Sequence, residues 1–227
     1  MVSALRPARR ADLLPLALDV APRLLGAVLT TTIAGETVAV RITEVEAYHG
    51  AGSGEVPDPG SHARMGRTAR NATMWGEPGH LYVYLSHGIH SCVNVVCGPE
   101  GRGDGCLLRA GEIVTGADIA RRRRTVRGVV RSDRDLARGP GRLGDAIGLR
   151  HPLHDGIDAI MGHEQGGAVA RLELATRPPA EVATGPRVGV AGVAGSSAYP
   201  WRFWIAGDPT VSAFRPGRGA SDVKATR

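Results

Sequence analysis

The stretch Thr43-Glu44-Val45-Glu46-Ala47-Tyr48 brings two carboxyl groups and an aromatic ring to the end of an alternating apolar run. Upstream, Val38, Val40 and Ile42 share one face of a predicted strand, and in an unbroken strand the two glutamates and the tyrosine continue that face. Apolar surroundings raise the pKa of a carboxyl group, which makes it a better general base near neutrality. The stretch therefore predicts a general base beside an aromatic wall, although an exposed glutamate pair would have the same pattern.

Alternation elsewhere in the chain predicts hairpins rather than regular βαβ units. Strands are expected at residues 27–33, 37–47, 80–85, 89–97, 106–114, 170–176, 187–190 and 203–206. Helical spacing predicts a helix over 11–25 that two prolines interrupt, one from Ala117 into Arg121–Arg124, and a short one between the turn at 139–144 and Leu149. Long loops are expected at 50–71 and 151–170.

These elements predict the α+β class, as one mixed domain on an antiparallel sheet with flanking helices. The domain is expected to span residues 1–215, followed by a disordered tail at 216–227. The chain has 227 residues, of which 42% are hydrophobic, so it can bury one core.

Composition and charge indicate the cellular compartment and the type of binding partner to expect. No run of eighteen apolar residues and no secretory signal is visible, and three cysteines suit free thiols, so we expect no membrane span and a cytoplasmic protein. The net charge of +6 favours a polyanion such as nucleic acid. Only Lys224 among the 28 basic residues is a lysine, which points to a coding bias and weakens that inference.

Two groups of residues have both a functional and a structural interpretation. In the strand at 80–85, His80, Tyr82 and Tyr84 share a face that could be a stacking platform for a base or an ordinary packed sheet face. The histidines and cysteines near residues 87–106 could suggest a metal site, but His90, Cys92 and Asn94 face away from Cys97, so we expect no metal.

The arginine run and the glycine turn also have two readings each. Arg121–Arg124 is expected to be a solvated helix end that complements the helix dipole, in preference to a DNA contact. The turn Gly139-Pro140-Gly141-Arg142-Leu143-Gly144 precedes a helix and could present backbone N–H groups to a phosphate.

Residues 20–215 resemble the alkyladenine (3-methyladenine) DNA glycosylases. No single matching motif is specific, but together they occur in the family's order and approximate spacing. They are Arg23-Leu24-Leu25-Gly26, the stretch at 43–48, Ser61-His62-Ala63, Arg70-Asn71 to Met74, Pro78-Gly79-His80-Leu81-Tyr82-Val83-Tyr84, Cys92-Val93-Asn94-Val95, Leu107-Leu108-Arg109-Ala110, Gly139-Pro140-Gly141-Arg142-Leu143, Arg187-Val188-Gly189-Val190, and Arg202-Phe203-Trp204 to Val211-Ser212.

The resemblance implies a monofunctional enzyme that flips a damaged purine from duplex DNA and hydrolyses its N-glycosidic bond. By position, Glu46 is the general base and Arg109 its orienting partner. The base pocket comprises Tyr48, His62, Tyr84 and Asn94, and Asn94 discriminates against the guanine amino group. The resemblance also implies a curved sheet with a protruding hairpin that inserts into DNA, a monomer associated with the nucleoid, and no cofactor.

One position departs from the family pattern. Many members have a tyrosine wedge where this chain has His87, so we expect weaker support of the flipped state without loss of function. Without an available lysine, a strand-cleaving lyase step through a Schiff base is not expected. Two alternatives from other classes stay open: a non-enzymatic RNA- or tRNA-binding barrel, and a metal-dependent hydrolase.

Overall fold

An antiparallel sheet forms the body of the protein, and the computed structural model describes residues 4–220. Its strands are β1 (Leu5–Pro7), β2 (Val28–Ile33), β3 (Glu36–Tyr48), β4 (His80–Ser86), β5 (His90–Cys97), β6 (Asp104–Thr115), β7 (Ala137–Arg138), β8 (Ile157–Asp158), β9 (Ala168–Ala175), β10 (Val182–Gly185) and β11 (Arg202–Ile205). The order is β1-β9-β2-β3-β6-β5-β4-β8, with β11 beside β3, β10 beside β11, and β7 beside β6.

The helices are short and lie against this sheet. They are α1 (Arg10–Leu13), α2 (Ala17–Val20), α3 (Ala117–Thr125) and α4 (Pro140–Ile147), with 3₁₀ turns at Ala21–Leu24, Ala69–Trp75, Asp133–Asp135 and Gly192–Gly195. The helix expected over 11–25 is broken into three pieces, because Pro15 and Pro22 cannot donate a backbone hydrogen bond. The predicted α+β class is confirmed as one domain with a curled, half-barrel antiparallel sheet and a few helices.

Strand β3 is the centre of the sheet, and an irregularity in it decides which way the glutamates point. Its pairing with β6 shifts between Ile42 and Val45, so the alternation of side chains changes phase there. Val45 and Ala47 therefore join the core residues of the first half of the strand, and Glu44 and Glu46 lie on the opposite face. The expectation that the glutamates continue the valine face was wrong for this reason.

Strand β4 follows the predicted alternation. Leu81 and Val83 belong to the main core, which packs the sheet against residues of all four helices. Tyr82 and Tyr84 instead join a smaller cluster on the other face, with Ala63, Met74, Trp75 and Val96. The two faces of this strand thus separate the core from the side of the molecule that carries the candidate site.

Two predicted boundaries were wrong. The segment 187–190 is a turn and not a strand, since Gly189 has a φ of +71°. Helix α4 begins at Pro140, inside the stretch read as a turn, and Gly144 lies within it. A Cβ on Gly144 would lie 1.9 Å from the carbonyl oxygen of Ser91, so the glycine permits close packing of α4 on β5.

The end of the chain is only partly described. Residues 216–220 of the predicted tail contain no helix or strand, and the carbonyl of Arg218 accepts a hydrogen bond from the N–H of Gly192. Residues 221–227, including Lys224, lie outside the described residues, so the predicted boundary and tail stay predictions. Within residues 4–220, no helix is both long and apolar enough to cross a bilayer.

Candidate active site

A cleft of about 1010 Å³ opens on the glutamate face of β3. The end of β3, strands β4 to β6, the loop at 59–70, the segment 124–142 and the turn at 188–191 contribute its lining. All seven residues predicted for the site line this cleft: Glu46, Tyr48, His62, Tyr84, His87, Asn94 and Arg109. The structure thus brings together residues that are up to 63 positions apart in the chain.

Glu46 is fully buried and held by three donors. The Tyr48 hydroxyl donates to its Oε2 at 2.8 Å, the Val188 N–H donates to its Oε1 at 2.6 Å, and Arg109 Nη1 lies 3.4 Å from Oε2. The apolar surroundings expected for this carboxyl group were therefore wrong. Hydrogen bonds and a cation stabilise the ionised form of a carboxyl group, which is the form that accepts a proton.

Tyr48 is the wall next to this carboxylate. Burial, and then the nearby charge of Glu46, raises the pKa of Tyr48 well above its usual value, so its hydroxyl stays a donor. The guanidinium of Arg187 lies over the ring, 4.4 Å from its centroid. The tyrosine is therefore fixed by a bond at its hydroxyl and by a cation against its ring.

Arg187 is itself completely enclosed. Its guanidinium makes two hydrogen bonds to the Asp58 carboxylate, of 2.8 and 2.7 Å, and donates to the carbonyls of Ala47 and Ala194. Asp58 also accepts from the N–H groups of His49 and Gly60. The same ion pair thus supports the wall at Tyr48 and holds the glycine-rich loop that leads to His62.

The other side of the cleft is formed by His62 and Tyr84, whose rings meet edge to face with centroids 4.7 Å apart. Burial lowers the pKa of His62, and Arg70 and Arg64 lower it further, so the imidazole is neutral at pH 7. Tyr82 stacks on Tyr84 at 5.4 Å and is only 1% exposed. Both tyrosines line the cleft, and the buried Tyr82 supports the more exposed Tyr84.

Strand β5 contributes the floor. Asn94 is buried and donates from Nδ2 to the Tyr82 carbonyl at 3.2 Å. His90 and Cys92 line the cleft as well, whereas Cys97 lies in the main core, as the alternation predicted. In the part of the chain that the structure describes, no three His, Cys, Asp or Glu side chains form a group that could hold a metal ion.

His87 lies at the tip of the β4–β5 hairpin and is exposed. It has a φ of +50°, followed by Gly88 at +69°, and its Nδ1 lies 3.0 Å from the Ser86 hydroxyl. The neighbouring Ile89 is 57% exposed, and its carbonyl accepts a hydrogen bond from Arg127. The position of His87 at the mouth of the cleft is observed, while the role of His87 as a wedge stays a prediction.

Arginines line both sides of the cleft. They are Arg64 and Arg70 on the loop side, and Arg124, Arg127, Arg138 and Arg142 on the other. The expectation of a solvated helix end was wrong for Arg124, because its side chain is 8% exposed and donates to the Leu136 carbonyl. Gly139, Pro140 and Gly141, at the start of α4, also line the cleft, so the predicted turn borders the site.

Sequence reasoning missed several residues that organise the site. Val188 and Arg187 lay in a stretch read as a strand, and nothing in its apolar alternation indicated a contact with Glu46. Glu44 was visible beside Glu46, but its partners Arg202 and Ser212 lie more than 150 positions away. The only signal for these residues was their presence in the motifs that carried the family resemblance.

Comparison with known proteins confirms the family resemblance. The model of the methylpurine-DNA glycosylase (MPG) family matches residues 13–209. A protein of Streptomyces avermitilis described as "Putative 3-methyladenine DNA glycosylase" is 51% identical over 198 residues, which is 87% of each chain. Proteins with the same description from Nocardia farcinica and Leifsonia xyli are 50% and 49% identical and cover 91% and 94% of this chain, and 92% and 95% of their own.

The fold, the cleft and these matches define a DNA glycosylase, a hydrolase that acts on N-glycosyl bonds. The substrate of this class is DNA, and its work is DNA repair by base excision. The chain belongs to the methylpurine-DNA glycosylase family.

Proposed function

We propose that this protein is a monofunctional glycosylase that flips alkylated or deaminated purines of the 3-methyladenine, hypoxanthine and ethenoadenine class from duplex DNA. A water molecule activated by Glu46 hydrolyses the N-glycosidic bond and leaves an abasic site. The observation that carries the proposal is the buried Glu46 carboxylate with its three donors, in a cleft that Tyr48, His62 and Tyr84 line.

The chemistry follows from the surroundings of Glu46. Its carboxylate accepts the proton of the attacking water, a contribution of roughly 10²- to 10⁴-fold when the geometry is right. The Tyr48 hydroxyl and the Val188 N–H fix both carboxylate oxygens, so the lone pairs that remain have one orientation. Arg109 compensates the negative charge without a short contact, since its closest approach is 3.4 Å.

The aromatic walls are suited to the lesion. An alkylated purine such as 3-methyladenine carries positive charge, and electron-rich rings attract cations over their faces. His62 does not oppose this attraction, because its lowered pKa leaves the imidazole uncharged at pH 7. For neutral purines the weakened base pairing of the lesion lowers the cost of flipping, which is a few kcal/mol.

Asn94 restricts which purine enters. Its amide is held by the Tyr82 carbonyl and buried, so it does not swing away from an incoming base. A guanine amino group directed at this floor would meet a fixed polar group without room. We therefore expect hypoxanthine, which lacks that amino group, to be accepted and guanine to be rejected.

The arginines on both sides of the cleft provide contacts for the DNA backbone. A duplex that presents its lesion to Glu46 has phosphates on either side of the flipped nucleotide, and cations bind them without reading sequence. His87, exposed on the hairpin between Ser86 and Gly88, fills the space left in the duplex. These features favour the enzyme over the RNA-binding alternative, as does membership of a DNA glycosylase family.

Base release from defined duplexes tests the proposal. Duplexes with one 3-methyladenine, hypoxanthine or ethenoadenine are incubated with the protein, beside an undamaged duplex. We expect free base from at least one lesion and a strand that breaks only after alkali treatment. No release from any of the three, or breakage without alkali, would contradict the proposed reaction.

A pair of variants tests the wedge. His87→Tyr should favour the flipped state, and His87→Ala should disfavour it, because a larger ring fills the gap better. The fluorescence of ethenoadenine in the bound duplex reports flipping directly. Equal flipping by both variants would remove His87 from this role and leave the reaction unaffected.

A further inference from the structure

We infer that Glu44 is a positioning residue for Arg109. It accepts the hydrogen bond of Nε, so that Glu46 receives a single N–H donor, Nη1, from that arginine. The inference rests on the proposed role of Glu46 as the general base. It assigns a function to the second glutamate of β3, which does not line the cleft and therefore does not touch substrate.

Glu44 is as deeply buried as Glu46 and has more partners. Arg109 Nε donates to its Oε1 at 3.0 Å and Arg202 Nε at 2.7 Å. The Ser212 N–H donates to Oε2 at 2.7 Å and the Ser212 hydroxyl to Oε1 at 2.9 Å. Four donors from two strands and the C-terminal segment therefore fix this carboxylate in one orientation.

The donors of Arg109 are shared among three acceptors. Its Nε is directed at Glu44, its Nη2 lies 3.4 Å from the Ser212 hydroxyl, and its Nη1 lies 3.4 Å from Glu46. An arginine that is free to turn forms a two-pronged pair with a carboxylate, with bonds of about 2.7–2.9 Å. Glu44 and Ser212 oppose that pair, because they hold Nε and Nη2, and each two-pronged face of a guanidinium uses Nη2.

The charges around Glu46 give this arrangement a chemical consequence. Six titratable groups face Glu46, three acidic or phenolic and three cationic. The first three are Glu44 and Tyr48 on the same strand and Tyr84 on β4. The cations are Arg109 on β6, Arg202 on β11, and Arg187. Arg187 is matched by Asp58. The two remaining arginines are matched by the two glutamates, so the loss of the Glu44 charge leaves one uncompensated cation beside the base.

An excess cation stabilises the ionised form of a neighbouring carboxylate and makes it a weaker base. Replacement of Glu44 should also free Arg109 to pair closely with Glu46. Both changes act in one direction: base release slows, and the pH at which its acid limb is half-maximal decreases. If Glu44 had a purely structural role, its replacement would not be expected to move this midpoint in a particular direction.

The test is single-turnover base release as a function of pH, with the wild type, Glu44→Gln and Ser212→Ala. For Glu44→Gln we expect a slower plateau rate of base release and an acid-limb midpoint about one pH unit lower. A unit charge within roughly 10 Å produces a shift of this size at an effective dielectric constant of about 20. Affinity for a duplex with an abasic site should not weaken. Ser212→Ala frees Nη2 of Arg109 but removes no charge, so it should move the midpoint in the same direction and by less than Glu44→Gln.

Arg202→Gln changes the charge in the opposite direction, since it removes a positive charge near the two glutamates. Arg202 contacts Glu44 but not Glu46. Its acid limb should shift to higher pH, and this result tests the inference even if Glu44→Gln does not fold. An unshifted midpoint in both charge variants, with activity lost in proportion to the unfolded fraction, would overturn the inference. That outcome leaves the proposed reaction standing, whereas absence of base release by the wild type contradicts the reaction itself.

Discussion

The ion pair between Asp58 and Arg187 gives the sharpest prediction about how the fold supports the site. Both side chains are 0% exposed, and the two bonds between them are 2.7 and 2.8 Å long. Asp58→Asn leaves the guanidinium buried without its counter-charge, and breaking a buried pair in this way costs about 3–5 kcal/mol. For a domain of this length, the cost corresponds to a decrease in Tm of roughly 6–20 °C.

Denaturant unfolding of the wild type and Asp58→Asn measures this cost, and Glu36→Gln is its control. Glu36 pairs with Arg122, and both of these side chains are largely exposed, at 46% and 61%. Pairs of that kind contribute about 0–1 kcal/mol, so the control should unfold close to the wild type. A cost below about 1 kcal/mol for Asp58→Asn would refute the reasoning, because it would equal that of a surface pair.

The same pair also links stability to chemistry. A double variant, Asp58→Leu with Arg187→Met, removes both charges and should recover much of the lost stability, since apolar replacement of a buried pair is often neutral. It should not recover base release, because Tyr48 has lost the cation against its ring. Recovery of both properties together would show that Arg187 acts on folding alone.

Three further results are expected. Tyr48→Phe keeps the ring but removes the donor to Glu46. Since hydrogen bonds to charged groups contribute about 1.5–3 kcal/mol, single-turnover base release should slow by roughly 10- to 100-fold. An unchanged rate would contradict the assigned hydrogen bond. Burial lowers the pKa of three histidines, His49, His62 and His154, below 6.5, so the unfolded chain binds more protons than the folded chain in acid. Urea unfolding should therefore show stability decreasing below pH 6.5, by up to about 1.4 kcal/mol per pH unit for each histidine. A constant stability from pH 7.5 to 5.5 would contradict this. Val129 and Val126 are both 84% exposed but only Val129 lines the cleft, so Val129→Asp should weaken duplex binding and Val126→Asp should weaken it less; equal effects in a binding titration would exclude a specific contact.

Local patterns in the sequence predicted much of the site. Alternation in β4 placed Tyr84 on the face opposite Leu81 and Val83, and alternation in β5 separated Asn94 from Cys97. Both strands are regular, so a period of two holds along their length. Alternation therefore placed residues correctly on one face or the other of each strand, while their assignment to a base pocket came from the family resemblance.

The parts that could not be predicted depend on contacts between distant segments. The phase change in β3 between Ile42 and Val45 arises from its pairing with β6, and no residue in the stretch itself signals it. The turn at 187–190 alternates like a strand, yet its function is to bring Val188 to Glu46, 142 positions away. Local pattern thus pointed to the pair of glutamates, the family resemblance singled out Glu46, and tertiary contacts supplied its environment.

The role of Glu46 is the central claim, and single-turnover base release by Glu46→Gln tests it most directly. Glutamine keeps the size of the side chain and an acceptor for one of the two donors, Tyr48 or Val188, but it does not take a proton from water. We predict that the variant binds a lesion-containing duplex as tightly as the wild type and releases the base roughly 10²- to 10⁴-fold more slowly. Release at the wild-type rate would contradict the account.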